Sequence, residues 1–201
     1  MTTIKERLYE QNMAKRNNIC HSGGCPGSDM EWENQSIKYD IKTIAYSFQG
    51  HVQEGKYPKI LSSEELEEGW QQVLLCEKPI KRPLYKIKYT PYVKNLLCRN
   101  WFQVKNSEAI YAIGSLVIGS NRLVDGGTGW AVQMAINNNK PIYLFEQNLG
   151  SWFMYHYPSN EFAQIYSIPF LTTNFAGIGT RKINEAGKKA IKEILEFNLN
   201  G

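Results

Sequence analysis

Three glycine-rich segments, Ser22-Gly23-Gly24-Cys25-Pro26-Gly27, Asp125-Gly126-Gly127-Thr128-Gly129 and Gly177-Ile178-Gly179-Thr180, each stand between an apolar run and a stretch of helical character. A glycine at such a junction lets the backbone bend sharply and approach a ligand, while the free amides of the following helix start can hold a phosphate or carboxylate. In an open parallel sheet these turns gather at the carboxyl edge, where ligands bind. One corner of this kind is satisfied by strand-to-helix geometry alone. Three in one chain predict an α/β protein, Rossmann-like, with an open, mainly parallel sheet and helices on both faces.

The order of elements agrees with that class. Residues 18–21 read as a short strand entering the first glycine segment, 30–39 as a helix, and 41–48, with Ile41, Ile44 and Tyr46, as a second strand. Residues 109–117 are almost continuously apolar, the pattern of a strand covered on both faces, so they belong at the centre of the sheet. Thr90-Pro91 supplies an N-cap and a proline at the first helical position, and Val93, Leu96, Leu97, Trp101 and Val104 then fall near helical spacing. After the second glycine segment Trp130, Val132, Met134 and Ala135 read as a helix, followed by a strand at 141–145.

Between them, 50–90 is irregular apart from a helix opened by a Ser62/Glu65 capping box and running to Cys76, and is expected to be an insertion over one end of the sheet. The aromatic stretch 152–157 reads as a loop or hairpin, 168–172 as the last strand, and 3–15 as a short polar helix. Residues 182–197 form a basic amphipathic helix that presents Ile183, Ala186, Ala190, Ile191, Ile194 and Leu195 to the sheet.

Composition narrows the partners. The 201 residues, 42% hydrophobic and 21% charged, suit a single domain at 1–201 that folds alone. No run approaches the roughly 20 apolar residues that span a bilayer, and the amino terminus is polar, which predicts a cytoplasmic protein without a membrane partner. Cys20, Cys25, Cys76 and Cys98 lack paired spacing and read as reduced, buried thiols; Met13, Met30, Met134 and Met154 read as core or loop fillers. With no His-x-x-x-His or carboxylate cluster, no metal and no cofactor is expected, and His21, His51 and His156 are poor candidates for catalysis. A net charge of +4 from scattered lysines makes nucleic acid an unlikely partner and fits an anionic small molecule.

The candidate ligand residues follow from the loops. Gly23, Gly24, Gly27, Gly126, Gly127, Gly129, Gly177 and Gly179 offer backbone, Ser22 and Thr128 hydroxyls, Asp29 a ribose acceptor and Arg181 a phosphate partner; Asp125 lies in the second turn. Arg99, Asn100 and Gln103 share the helix ahead of the central strand, where they face either the ligand or, as a salt-bridged surface, the solvent. Arg99→Ala is accordingly expected to weaken ligand binding while leaving the melting temperature nearly unchanged. Trp130 either stacks on a base or packs as a helix-start residue.

The segments HSGGCPGSDMEW (21–32), RNWFQV (99–104), VDGGTGWAVQMAI (124–136), KPIYLFEQ (140–147) and NFAGIGTRKINEAG (174–187) resemble the SLOG superfamily over most of the chain. That superfamily includes the lonely-guy phosphoribohydrolases, the DNA-processing A proteins and sensor domains for nucleotide-derived signals. Gly126-Gly127-Thr128-Gly129 is similar to the phosphoribohydrolase turn Gly-Gly-x-Gly-Thr, and Ser22-Gly23-Gly24 with Gly27 and Asp29 resembles the amino-terminal turn. Where the hydrolase pattern continues with threonine and a catalytic glutamate, this chain has Trp130 and Gln133. An amide cannot supply the negative charge that an oxocarbenium-like transition state needs.

The resemblance therefore implies a protein that binds a nucleotide, an ADP-ribose derivative or a cyclic nucleotide signal without catalysis. Such a protein acts as a sensor or by sequestration, as a virus-encoded protein opposing nucleotide-based immunity would. The alternative is a nucleotide N-glycosidase or phosphoribohydrolase in which Asp29 or Asp125 replaces the glutamate. A third reading, single-stranded DNA binding, predicts salt-dependent affinity. The resemblance also implies a homo-oligomer.

Overall fold

The computed structural model describes residues 17–84 and 90–199. The proposed helix at 3–15, with Met13, lies outside them. The architecture is set by the strand β4 (Ala109–Gly114), every residue of which is buried. A strand without a polar face must be covered on both sides, and β4 lies inside an eight-stranded sheet of order β3-β2-β1-β8-β4-β5-β6-β7.

The first half runs outward from β1 (Ile19–Ser22) through β2 (Lys42–Ser47) to β3 (Pro58–Ile60), all parallel. The second half runs the other way from β4 to β5 (Ile142–Glu146), also parallel, and ends in the antiparallel strands β6 (Ser151–His156) and β7 (Glu161–Gln164). The 152–157 stretch is thus a hairpin strand. β8 (Asn174–Gly179) closes the gap between the halves, parallel to both β1 and β4.

The placement of β8 corrects two expectations. Residues 168–172 are not a strand, and Gly177 and Gly179 lie inside the sheet instead of in a turn between strand and helix. A Cβ on Gly177 would stand 2.6 Å from Cγ of Trp32, and one on Gly179 would stand 2.7 Å from Cβ of Ser28. These glycines exist because helix α1 (Ser28–Lys38) lies directly on β8. The missing side chains let the Trp32 indole and the start of α1 approach the strand.

Two separate cores cover the sheet. On one face α1 and α5 (Glu185–Leu199) enclose Cys20, Trp32, Tyr111, Ile113, Phe175, Ile191, Ile194 and Leu195. The expected apolar face of the last helix is thereby buried, although the helix starts at Glu185 because the Asn184 side chain accepts the Gly187 amide at 2.8 Å. On the other face α2 (Ser63–Cys76), α3 (Pro91–Lys105) and α4 (Thr128–Asn137) pack over Ile110, Ala112, Leu144, Ala176 and Ile178. The Ser62/Glu65 capping box and the Thr90 cap, which accepts the Val93 amide, start α2 and α3 as the sequence predicts.

The described part of 50–90 is more than irregular: it extends the sheet with β3 and supplies α2, which packs against both α3 and α4. No helix among the described residues is long and apolar enough to cross a membrane. All four cysteines are free and buried.

Candidate functional site

At the carboxyl ends of β1, β8 and β4 the sheet opens into a cleft of about 540 Å³, within the usual range of roughly 300–1,000 Å³ for small-molecule sites. Its walls come from the β1–α1 loop (Cys25, Asp29), from α3, from the β4–α4 turn and from the end of β8 with residues 180–182. This is where the strand order reverses, the position at which doubly wound sheets bind ligands.

The turn before α4 is the part most open to a ligand. Gly126 has φ +64°, and Cβ atoms built on Gly126 and Gly127 meet nothing within 4 Å. Arg82 donates to the carbonyls of Gly126 and Val124 at 2.6 and 2.8 Å. Because a trans peptide directs its N–H opposite to its C=O, pinning the Gly126 carbonyl turns the Gly127 amide away from Arg82. α4 starts without a side-chain cap; the Gly129 and Trp130 amides donate to the Gly126 and Gly127 carbonyls at 3.3 and 3.1 Å, so an acceptor would meet the amides of Gly127 and Thr128, where the helix dipole favours an anion. Asp125 lies 3.5 Å from Arg82 with its side chain 76% exposed.

Across the cleft, the end of β8 is fixed to α1. Thr180 donates its amide to Ile113, and its carbonyl accepts from the Ser28 amide at 3.0 Å and the Ser28 hydroxyl at 2.8 Å. Arg181 and Lys182 follow at the rim, the Lys182 amide held by Oγ1 of Thr180.

The floor is formed by Arg99, which is buried and not solvated as a surface helix residue would be. Its guanidinium donates to Sγ of Cys25 at 3.0 Å and to Gln103 at 3.4 Å and stands 3.7 Å from Asp29, while Nε has no partner. A Cβ on Gly23 would collide with this guanidinium, so Gly23 serves as its seat. Burial raises the Asp29 carboxyl above its ordinary value, against the pull of Arg99 and of the Cys25 and Gly179 amides. A buried pair of this kind is structural as well as electrostatic, because removing one member leaves the other charged in a low-dielectric interior. The burial of Arg99 against Asp29 thus argues that Arg99→Ala lowers the melting temperature, contrary to the expectation from sequence.

Of the residues singled out by sequence, the fold brings together on the cleft Asp29, Arg99, Asn100, Gln103, Asp125, Gly126, Gly127, Thr128, Trp130, Gly179, Thr180 and Arg181. Ser22, Gly23, Gly24, Gly27, Gly129, Gln133 and Gly177 do not line it. Ser22 braces its own loop through the Asp29 carbonyl and the Gly24 amide, and Gln133 donates to Asn137 at 2.8 Å. Trp130 reaches the cleft but is almost wholly packed in the core. Sequence reasoning missed Arg82, which pins the second turn, and the cleft-lining Lys182, Cys25 and apolar wall of Val93, Leu96 and Leu97. The wall was legible only as helical spacing.

No protein-family model matches the chain, and no curated protein matches it. Among solved structures it is similar to a "Putative molybdenum carrier protein" from Syntrophus aciditrophicus SB, with a TM-score of 0.46 and 13% identity over 89% of this chain and 92% of that one. The parallel order and register of the sheet itself make the fold Rossmann-like.

Proposed function

We propose that the cleft binds a nucleotide or nucleotide-derived signalling molecule without turning it over, and that the protein works as a sensor or by sequestration. The observation that carries this reading is an open, uncapped turn at Gly126–Thr128 opposite Arg181 and Lys182, above a floor holding the buried Arg99. Amides and guanidiniums suit phosphate oxygens, and the Val93, Leu96 and Leu97 wall offers an apolar surface to a base or sugar. The resemblance of the Ser22–Asp29 and Gly126–Gly129 segments to SLOG turns points to the same ligand class, to a single domain and to a homo-oligomer.

The rival hydrolase has poorly placed carboxylates. Asp29 is engaged with Arg99 and the Cys25 amide, and Asp125 faces Arg82 and solvent. Titration calorimetry with AMP, ADP-ribose, cyclic AMP, ribose 5-phosphate and adenosine tests the proposal. Phosphorylated ligands are expected to bind at least about tenfold more tightly than adenosine, about 1.4 kcal/mol. Equal affinity, or none for any ligand in the panel, overturns it. Chromatographic release of free base from these ligands, abolished by Asp125→Asn, would establish the hydrolase instead.

A further inference from the structure

The β1–α1 loop holds a thiol in surroundings unlike those of the other three. Burial pushes Cys20, Cys76 and Cys98 up to about 12, which makes them inert. Cys25 instead lines the cleft, with a guanidinium nitrogen of Arg99 at 3.0 Å, one of Arg181 at 3.7 Å and Nε2 of His51 at 3.8 Å. The His51 ring is itself fixed: Nδ1 lies 3.0 Å from Oγ of Ser47, and the ring stacks on Phe48 at 4.7 Å. The tautomer that donates Nδ1–H to Ser47 leaves the Nε2 lone pair facing the thiol. Burial and the two neighbouring guanidiniums lower His51 to about 4, so the ring is neutral near pH 7 with its lone pair free, and it takes the thiol proton only together with formation of the adjacent thiolate, whose charge offsets that of the arginines.

A nucleophile within reach of a base, with the base oriented by a third group, is the arrangement that activates cysteine for covalent chemistry. The arginines add what a bare Cys–His pair lacks, positive charge that stabilises the thiolate as it forms and attracts an anionic reagent. We propose that Cys25 is a nucleophilic cysteine, with His51 as its base and Ser47 as the orienting group, and that it bonds covalently to small anionic electrophiles entering the cleft. In the step, the thiol proton passes to Nε2 of His51 and a sulfur lone pair forms the S–C bond. The displaced group leaves with the electron pair of the bond that breaks.

The test uses iodoacetate and its neutral counterpart iodoacetamide on the full native chain, beside a peptide spanning 22–28, with each cysteine followed by peptide mass spectrometry. Cys25 is expected to react first among the four cysteines. Its iodoacetate-to-iodoacetamide rate ratio should exceed the peptide's at least fivefold, and Arg181→Met should return the ratio toward the peptide's value. His51→Asn should slow both reagents at least about tenfold, the lower end of what a positioned base contributes. A native chain in which Cys25 stays unmodified, or reacts with the peptide's ratio, overturns the proposal without reliance on any variant. So does a folded His51→Asn chain that reacts at the wild-type rate. Iodoacetate carries no base, sugar or phosphate, so this result and the nucleotide titrations succeed or fail independently.

Discussion

The glycine pairs Gly126–Gly127 and Gly177/Gly179 look alike in sequence and are used in opposite ways. Around Gly126 and Gly127 there is open space, and the backbone itself is the exposed surface. Around Gly177 and Gly179 there is none, because Trp32 and Ser28 occupy the room that side chains would need. One pair of glycines leaves a backbone free for a ligand, whereas the other lets a helix approach a strand. A glycine-rich segment therefore marks close approach without saying whether the approaching group is a small molecule or the protein's own core.

The largest expected effect lies on the packed side. Arg99→Ala strands Asp29 in the interior and should cost about 3–5 kcal/mol, the usual penalty for breaking a buried ion pair, read as a fall in the urea midpoint. An unchanged midpoint would mean that the cleft floor is solvated and that this half resembles the open turn. Gly177→Ala comes next, at about 1–3 kcal/mol of overpacking against the Trp32 ring, measured in the same way. If Gly177→Ala proves as harmless as Gly127→Ala, the contrast between the segments fails.

A pH titration gives an effect of similar size. His21 in β1 is buried beside Tyr46, and burial lowers it from 6.5 to about 4. Between these values the unfolded chain takes up a proton that the native chain refuses, so stability is complete above pH 6.5 and falls as the pH drops toward 4. The loss amounts to about 3 kcal/mol for this one group. His21→Gln, followed by urea unfolding at pH 7 and pH 4.5, should reduce that slope and leave the share of His51, which is lowered over the same range; an identical slope in both chains would remove His21 as a cause.

The smallest stability change belongs to Gly127→Ala, within about 0.5 kcal/mol, because φ is −63° and the added methyl meets open space. Its effect should appear instead as weaker binding of phosphorylated ligands in calorimetry. Full affinity with unchanged stability would show that the turn is open but unused.

Much of the fold was legible because local pattern and tertiary role coincided. The apolar run in β4 demanded cover on both faces, Thr90 and Pro91 demanded a helix start, and Ser62 with Glu65 demanded another. β8 was missed because two glycines in Asn174–Gly179 break the apolar pattern of a strand, and only the flanking β1 and β4 supply the hydrogen bonds that make it one. β3 was missed because three exposed residues carry no periodic signal. Cys25 and His51 were passed over for a related reason: their 3.8 Å contact joins a turn to a loop 26 residues away.

By itself the sequence determined the alternation of strands and helices, the caps and the central strand, since each depends on neighbours within a few residues. Tertiary structure alone decided which glycines face a cleft, that Arg99 is buried against Asp29, and that β8 joins the two halves of the sheet. The reason is physical: backbone preference and periodicity act locally, whereas the free space at a Cβ and the partner of a charge depend on residues that only folding brings near.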